Sequence, residues 1–487
     1  MEDVKTNNHL IINSGFINGK WVNSSNGKTF SIKNPATGEV IAEVPDMGKT
    51  DTEKAIKAAH QALKEWKKLT GKERCQMLKK WHKEVIENID ELALLLTMEQ
   101  GKSIQESKAE VLSSAAFIDW FSAEAMRIVG DVLPESASGR LEYVRKEPVG
   151  VVAAITPWNF PSSMIARKVA PALAAGCTVV VKPAEDTPLS ALALVFLAEK
   201  AGIPPGVINI VTASHGGEVG EELCRNPIVK KLSFTGSTAV GKLLMSQCSD
   251  TLKKLSLELG GNAPFIVFDD ADIDAAVAGV MAIKFYNNGQ TCICANRIII
   301  HEKIHDLFIS KLSNAIENMV IGDGRDKKVT HGPLINKSAI DKISNIVTEA
   351  KASGAKVVTG GKAAPEIGGN FYLPTLLTNL SSDMNIFNCE IFGPIAAIYT
   401  FKDDENAVQL ANSTPYGLSA YLYTNDYRRI LSVTKELEYG MVGVNTPKFV
   451  SETVPFGGVK ESGIGREGSH YGIEEFLEMH YVCIATN

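Results

Sequence analysis

Residues 151–161 read VVAAITPWNFP, residues 178–186 read TVVVKPAED and residues 231–237 read KLSFTGS. Each is a short apolar or β-branched run that breaks into polar, turn-forming residues. A fourth run lies at 207–211, and helical patterns fall between and after them at 162–175, 188–202, 216–225 and 239–248. Strand–helix alternation of this kind predicts βαβ crossovers and a parallel sheet. Ligands of such sheets bind outside the carboxyl ends of the strands. Residues 156–160, 182–185 and 235–237 are therefore where chemistry is expected.

Working outward, a second α/β region begins near Leu257, with strands at 264–268 and 297–301 and a helix from 272 towards 286. Before the first sheet, Asn18-Gly19 and Asn26-Gly27 both predict hairpin turns. Thr50-Asp51-Thr52-Glu53 has capping-box spacing. Behind it Ile56, Ala59, Leu63 and Trp66 recur at helical spacing, and a second amphipathic stretch over 78–92 stops near Gly101. Residues 130–145 alternate like a hairpin and 481–485 are apolar, yet neither has a partner in its own stretch; such edges are expected to join another subunit.

The 487 residues suggest about three domains. With 45% hydrophobic and 22% charged residues the chain is globular rather than disordered or fibrous. A net charge of −6 without basic clusters excludes a nucleic-acid partner. The apolar runs 149–155 and 191–198 are far short of the roughly 20 residues of a membrane helix, so no membrane partner is expected. The start, with Glu2 and Asp3, lacks a signal pattern, and a cytoplasmic setting is expected. Eight cysteines without a C-x-x-C pair, and nine histidines without H-E-x-x-H, predict no metal site and a reduced environment.

Five places could carry chemistry. A nucleophilic cysteine needs exposure and a lowered pKa, and Cys292, in Gly289-Gln290-Thr291-Cys292, has small polar neighbours compatible with exposure, although a lone cysteine is more often an inert core residue. Glu258, between Leu257 and Leu259 and ahead of Gly260-Gly261, would be desolvated into a general base, or else be a strand-end charge facing water. Asn159 sits in a rigid Pro- and aromatic-rich turn and can donate to an oxyanion or close an Asx turn. Lys182 and Glu185 can reach one ribose, or form a surface ion pair. Gly236-Ser237 opens a helix after a strand, where backbone N–H groups can face a phosphate.

Taken together and in this order, these motifs, with residues 390–394 (EIFGP), resemble the aldehyde dehydrogenase superfamily over nearly the whole chain. The resemblance implies an α/β aldehyde dehydrogenase-like fold in three parts. These are a Rossmann-like cofactor domain (1–129 and 148–257), an α/β catalytic domain (258–450) and a small β oligomerisation element (130–147 and 470–487). It implies Cys292 as nucleophile, Glu258 as general base, and Asn159 with the Cys292 N–H as oxyanion hole. The cofactor residues it implies are Thr156, Trp158, Lys182, Glu185, Gly236, Ser237, Leu259, Glu390 and Phe392. NAD is the expected cofactor, since Glu185 repels a 2′-phosphate; a glutamate that swings away would admit NADP. The lack of a histidine near these motifs argues against a Cys-His hydrolase.

Within the superfamily the chain is similar to succinate-semialdehyde dehydrogenases, notably over 164–168, 256–270, 292–297 and 455–471. That similarity implies a small aldehyde substrate whose distal carboxylate meets Arg167 and Ser451, and a homodimer or homotetramer. One departure is Tyr286, where those enzymes commonly carry a second arginine. A phenol cannot neutralise a charge, so a broader enzyme for neutral or aromatic aldehydes is the competing expectation. A catalytically silent binding protein is a third, set against the intact Cys292, Glu258 and Asn159. Cys294 is expected to bridge reversibly to Cys292 as a redox switch, or else simply to pack near the site.

Overall fold

The computed structural model describes residues 8–485; the acidic start and the last two residues of the expected oligomerisation segment lie outside it. The chain opens on the hairpin β1 (Gly15–Ile17) and β2 (Lys20–Val22), whose turn residues Asn18 and Gly19 have φ of 53° and 72°. Two consecutive positive φ values define the turn that matches strand twist, which is why Asn-Gly sits there. Asn26-Gly27 is a turn but not a hairpin: β3 (Thr29–Lys33) pairs with the following β4 (Val40–Pro45), in a separate two-stranded sheet.

Four helices follow, α1 (Lys49–Trp66), α2 (Gly71–Glu87), α3 (Ile89–Gln100) and α4 (Ile104–Glu124). The expected box at Thr50 is not used. α1 already starts at Lys49 behind Gly48, Thr52 donates its hydroxyl back to the Gly48 carbonyl, and Asp51 accepts the Ser25 N–H. Capping boxes form instead at Thr70/Glu73 and Ser103/Glu106, starting α2 and α4. The amphipathic stretch over 78–92 is broken at Asn88 into α2 and α3, and α3 ends on Gly101.

After β5 (Asp131–Leu133) and β6 (Arg140–Pro148) comes the alternating core. It runs β7 (Val151–Ile155), α5 (Ser163–Ala175), β8 (Thr178–Lys182), α6 (Pro188–Lys200), β9 (Ile208–Ile210), α7 (Gly217–Arg225), β10 (Val229–Thr235), α8 (Thr238–Cys248) and β11 (Lys254–Glu258). The five strands from β7 to β11 are mutually parallel in the order β9-β8-β7-β10-β11. Progress through the sheet reverses between β7 and β10, and a crevice opens at the carboxyl ends of such a pair. Thr156–Asn159 and Gly236-Ser237 leave the sheet there.

A second sheet is built from β12 (Ala263–Val267), β13 (Ala295–His301), β14 (Lys356–Thr359), β15 (Thr375–Thr378), β16 (Ile395–Phe401), β18 (Ser419–Tyr423) and β19 (Met441–Val444). Its helices include α9 (Ile273–Lys284), α10 (His305–Glu317) and α11 (Lys337–Ala352); the short strands β17 (Tyr416–Gly417) and β20 (Val459–Lys460) pair beside it. β21 (Gly463–Ile464) then returns to the first sheet and pairs with Leu257 and Glu258. The join between the two sheets is thus closed on both sides of Glu258.

The last strand, β22 (Leu477–Ala485), pairs residue for residue with β6, and β5 completes a three-stranded sheet. The two segments that lacked a partner in sequence therefore satisfy each other within one chain, because antiparallel pairing is blind to sequence separation. What they leave open is the outer edges and exposed apolar side chains, among them Val132, Leu141 and Ile484 on one face and Met479 and Tyr481 on the other.

Candidate active site

The segment that delivers Cys292 is a tight left-handed loop. After α9 the chain turns through Asn287, Asn288 and Gly289 at φ of 48°, 58° and 70°. Asparagine and glycine tolerate this region where other residues are strained, and the surroundings hold it. Asn288 Nδ2 donates to the carbonyls of Gly332 and Pro333, and the Gln290 side chain bridges the Asn287 carbonyl and the Ile335 N–H. The Asn287 N–H donates to Glu106 of α4 at 2.8 Å.

Asn159 is tied into the same loop. Its Nδ2 donates to the Gln290 carbonyl at 2.9 Å, and its own carbonyl accepts from Asn287 Nδ2 at 2.9 Å and Lys102 Nζ at 2.8 Å. One Nδ2 hydrogen remains uncommitted by these bonds.

Cys292 is half-buried at a cavity of about 200 Å³ lined by Arg167, Tyr286, Phe160, Phe456 and Glu110 among others. Its thiol is pushed up to about 12, by burial first and then by the carboxylates of Glu390 and Glu258. The lowered pKa that a free-standing thiolate nucleophile needs is therefore not found. Arg167 is the nearby cation acting on the sulfur, and it is outweighed.

Glu258 ends β11 almost fully buried, and neither carboxylate oxygen has a hydrogen-bond partner. Burial raises its pKa well above the usual carboxylate range and Glu467 adds to this, while Lys168, Arg466 and Arg167 oppose it. The desolvation expected from the flanking leucines is present. Lys168 and Glu467 had gone unassigned: Lys168 Nζ pairs with Glu467 Oε1 at 2.6 Å, both buried. The signal for them was a cation embedded in the apolar run of α5, where burial demands a counter-charge.

Arg167 is no helix-surface residue, since α5 is buried along its length. Its guanidinium lies 4.7 Å from the ring centroids of both Phe117 and Phe456, 3.8 Å from Glu467, and leaves Nε and Nη1 without a hydrogen bond. Tyr286 stacks on Phe160 at 5.9 Å, and burial with the carboxylates of Glu106 and Glu110 raises its pKa, so it stays a neutral phenol. Ser451 is not brought to this wall. Its hydroxyl bonds Thr453 Oγ1 at 2.9 Å in a local turn, and its neighbour Val450 lines the cavity instead.

On the crevice side, Lys182 Nζ pairs with Glu185 at 3.0 Å, the lysine buried and the glutamate half out. Thr156 donates its N–H to the Lys182 carbonyl, and Trp158 meets Phe392 edge-to-face at 5.5 Å. Ser237 caps α8, but the Gly236 N–H is spent on the Glu258 carbonyl at 3.0 Å and does not face the crevice. Leu259 packs against Gly241 of α8, and Glu390 accepts the Gly261 N–H at 2.9 Å, burial raising its pKa. Phe392 has φ of 55°. A buried ammonium beside a half-exposed carboxylate, next to a capped helix start and an aromatic pair, fits a dinucleotide. Cys294 is buried with its thiol on Lys284 Nζ at 3.2 Å, and all eight cysteines are free. Among the described residues no group of three or more potential ligands could hold a metal, and no helix is long and apolar enough to cross a membrane.

Both sheets, the crevice at the switch point and the cysteine loop are those of an aldehyde dehydrogenase. The chain belongs to the Aldehyde dehydrogenase family, whose sequence profile matches residues 21–482. It is 51% identical to the NADP(+) succinate-semialdehyde dehydrogenase of Escherichia coli, with 98% of each chain covered. It is 50% identical to the 3-sulfolactaldehyde dehydrogenase of Pseudomonas putida, over 98% of this chain and 97% of that one. The crystal structure of succinate-semialdehyde dehydrogenase from Burkholderia pseudomallei superposes with a TM-score of 0.97 at 51% identity, covering 100% of this chain and 99% of that one. The protein is an NAD(P)-dependent oxidoreductase of aldehydes.

Proposed function

We propose that the protein oxidises a short aldehyde with a terminal carboxylate, succinate semialdehyde being the reference substrate, to the corresponding acid. The observation that carries this reading is Arg167: a buried guanidinium at the cavity wall with two N–H-bearing nitrogens left unbonded. Its planar fork matches a carboxylate. The two curated relatives described above act, by their names, on aldehydes ending in a carboxylate or a sulfonate, which supports an anionic tail.

Cys292 attacks the aldehyde carbon. Its raised pKa requires a proton acceptor, and Glu258, whose pKa is also raised, takes the thiol proton. The resulting thiohemiacetal oxyanion receives the free Nδ2 hydrogen of Asn159 and the Cys292 N–H; one such donor is worth about 3 kcal/mol. A bound nicotinamide supplies the hydride acceptor. After passing that first proton to solvent, Glu258 deprotonates the water that cleaves the thioester and hands the proton to the departing Cys292 thiolate, restoring the thiol and releasing the acid. Lys182 and Glu185 hold the adenosine ribose in this reading, supported by their pairing at the crevice, and a carboxylate at Glu185 favours NAD over NADP. Ser237 and α8 serve the pyrophosphate, with Thr156 and Leu259 flanking it; Glu390, Phe392 and Trp158 serve the nicotinamide ribose.

The subunit further joins a homodimer or homotetramer through the β22-β6-β5 sheet, one face of which exposes Val132, Leu141 and Ile484. Light scattering of Ile484→Glu, expected to lower the mass of the assembly, tests this.

The experiment for the substrate compares kcat/KM for succinate semialdehyde and butanal with NAD. A preference of roughly 100-fold or more for the semialdehyde is expected, about 2.7 kcal/mol of transition-state discrimination. Equal values, or a win for butanal, favour the second reading, a broader enzyme, which the neutral Tyr286–Phe160 stack in the wall would suit.

A further inference from the structure

The cavity wall contains a carboxylate whose charge is wrong for a carboxylated substrate. Glu110 of α4 lines the same cavity as Arg167 and Cys292. Its Oε1 accepts the N–H groups of Ser162 (2.9 Å) and Ser163 (3.1 Å), at the first turn of the helix that carries Arg167. Its Oε2 lies 2.5 Å from Lys102 Nζ, and the two side chains are 1% and 0% exposed. The same ammonium donates to the Asn159 carbonyl and sits 3.9 Å above the Phe160 ring.

We infer that Lys102 is a specificity-determining residue: by neutralising Glu110 it allows a cavity with a carboxylate in its wall to receive an aldehyde that ends in one. The glutamate cannot simply be dispensed with, because it satisfies two backbone donors that no preceding turn of α5 can reach. Of the other acids near the cavity, Glu467 is matched by Lys168, while Glu106, Glu258 and Glu390 are unchanged in every variant compared below and leave the difference to Lys102 and Glu110. Counting Arg167 (+1), Glu110 (−1) and Lys102 (+1), the remaining wall carries +1; without Lys102 it carries 0. In a poorly hydrated site one charge is felt strongly by an anionic tail and hardly at all by a neutral one.

The inference rests on the carboxylated-aldehyde reading, and the test separates the two. The quantity read is the ratio of kcat/KM for succinate semialdehyde to that for butanal, measured on the full-length enzyme with NAD. Active fraction and general damage to the catalytic loop cancel in this ratio. Lys102→Met is expected to lower it by roughly tenfold or more, from one unscreened charge in the wall. Glu110→Gln keeps an oxygen for Ser162 and Ser163 but leaves Lys102 unopposed, and raises the ratio. The double variant returns it to within about threefold of the wild type, since the wall is again +1 less one cation and plus one removed anion. A ratio unchanged in Lys102→Met while both substrates slow equally makes the pair merely structural and overturns the inference. So does a fall in Glu110→Gln, which decides the matter alone if Lys102→Met does not fold. A wild-type ratio near one sinks the substrate reading itself, before any variant is made.

Discussion

Replacing Arg167 by methionine tests the substrate reading at its anchor. Methionine fills much of the same volume between Phe117 and Phe456 but donates nothing. The guanidinium makes no hydrogen bond with the described residues of the protein, so its fork is free for a carboxylate, and hydrogen bonds to charged groups contribute about 1.5–3 kcal/mol each. Two such bonds to a substrate carboxylate give roughly 3–6 kcal/mol, of which the lower end already means more than about 100-fold in kcat/KM. Butanal cannot use them, so its kcat/KM should change by less than about fivefold. Loss of the two cation–π contacts lowers thermal stability by about 1–2 kcal/mol, to be read separately by denaturation. The assay is steady-state NAD reduction with both aldehydes, at matched active-site titre of Cys292. If the two substrates lose activity in parallel, Arg167 supports the loop and does not bind the carboxylate, and the argument from its unbonded nitrogens fails.

Other outcomes follow from the same geometry. Glu467→Gln removes a negative charge that opposes ionisation of Glu258 and frees Lys168 to favour it, so the Glu258 pKa should fall; the acidic limb of the kcat/KM profile then moves to lower pH, and a move upward contradicts the assignment. Because the folded-state pKa of Glu258 is raised, activity is expected to rise with pH through a midpoint above the ordinary carboxylate range. Glu258→Gln should slow turnover by roughly 100-fold or more, and a loss below about tenfold would remove it as the base; an acyl adduct on Cys292 by mass spectrometry would place the dominant block at deacylation, its absence at thiol activation. Glu185→Ser should improve kcat/KM with NADP relative to NAD by roughly tenfold, read directly from paired cofactor assays.

Much of the architecture is legible because it is local. The runs at 151–155 and 178–181 are continuous stretches of apolar or β-branched residues, and β7 and β8 form there. The spacing around Glu258 leaves a desolvated base and a water-facing strand end both open, and the residue is buried. What is not legible depends on partners remote in sequence. Lys168 and Glu467 are 299 residues apart, and β6 meets β22 across a similar span. The helix start at Gly48 rather than Thr50, and the failure of Asn26-Gly27 to make a hairpin, were decided by where the neighbouring segments pack. The Cys292 thiol is raised rather than lowered because it is desolvated and, secondarily, because the charges around it are mostly acidic, which its own motif does not reveal. Ser451 matches a motif yet turns onto Thr453.

The left-handed loop before Cys292 also bears on how this enzyme ages. Asn288 is followed by Gly289, the pairing in which a backbone nitrogen most readily attacks the side-chain amide and converts asparagine to aspartate. Here the amide is held against the carbonyls of Gly332 and Pro333, away from that attack. A molecule that did convert would set a carboxylate against two carbonyl oxygens, with the donor lost and three acceptors facing one another. The bonds that shape the loop for chemistry thus also guard its covalent integrity over time.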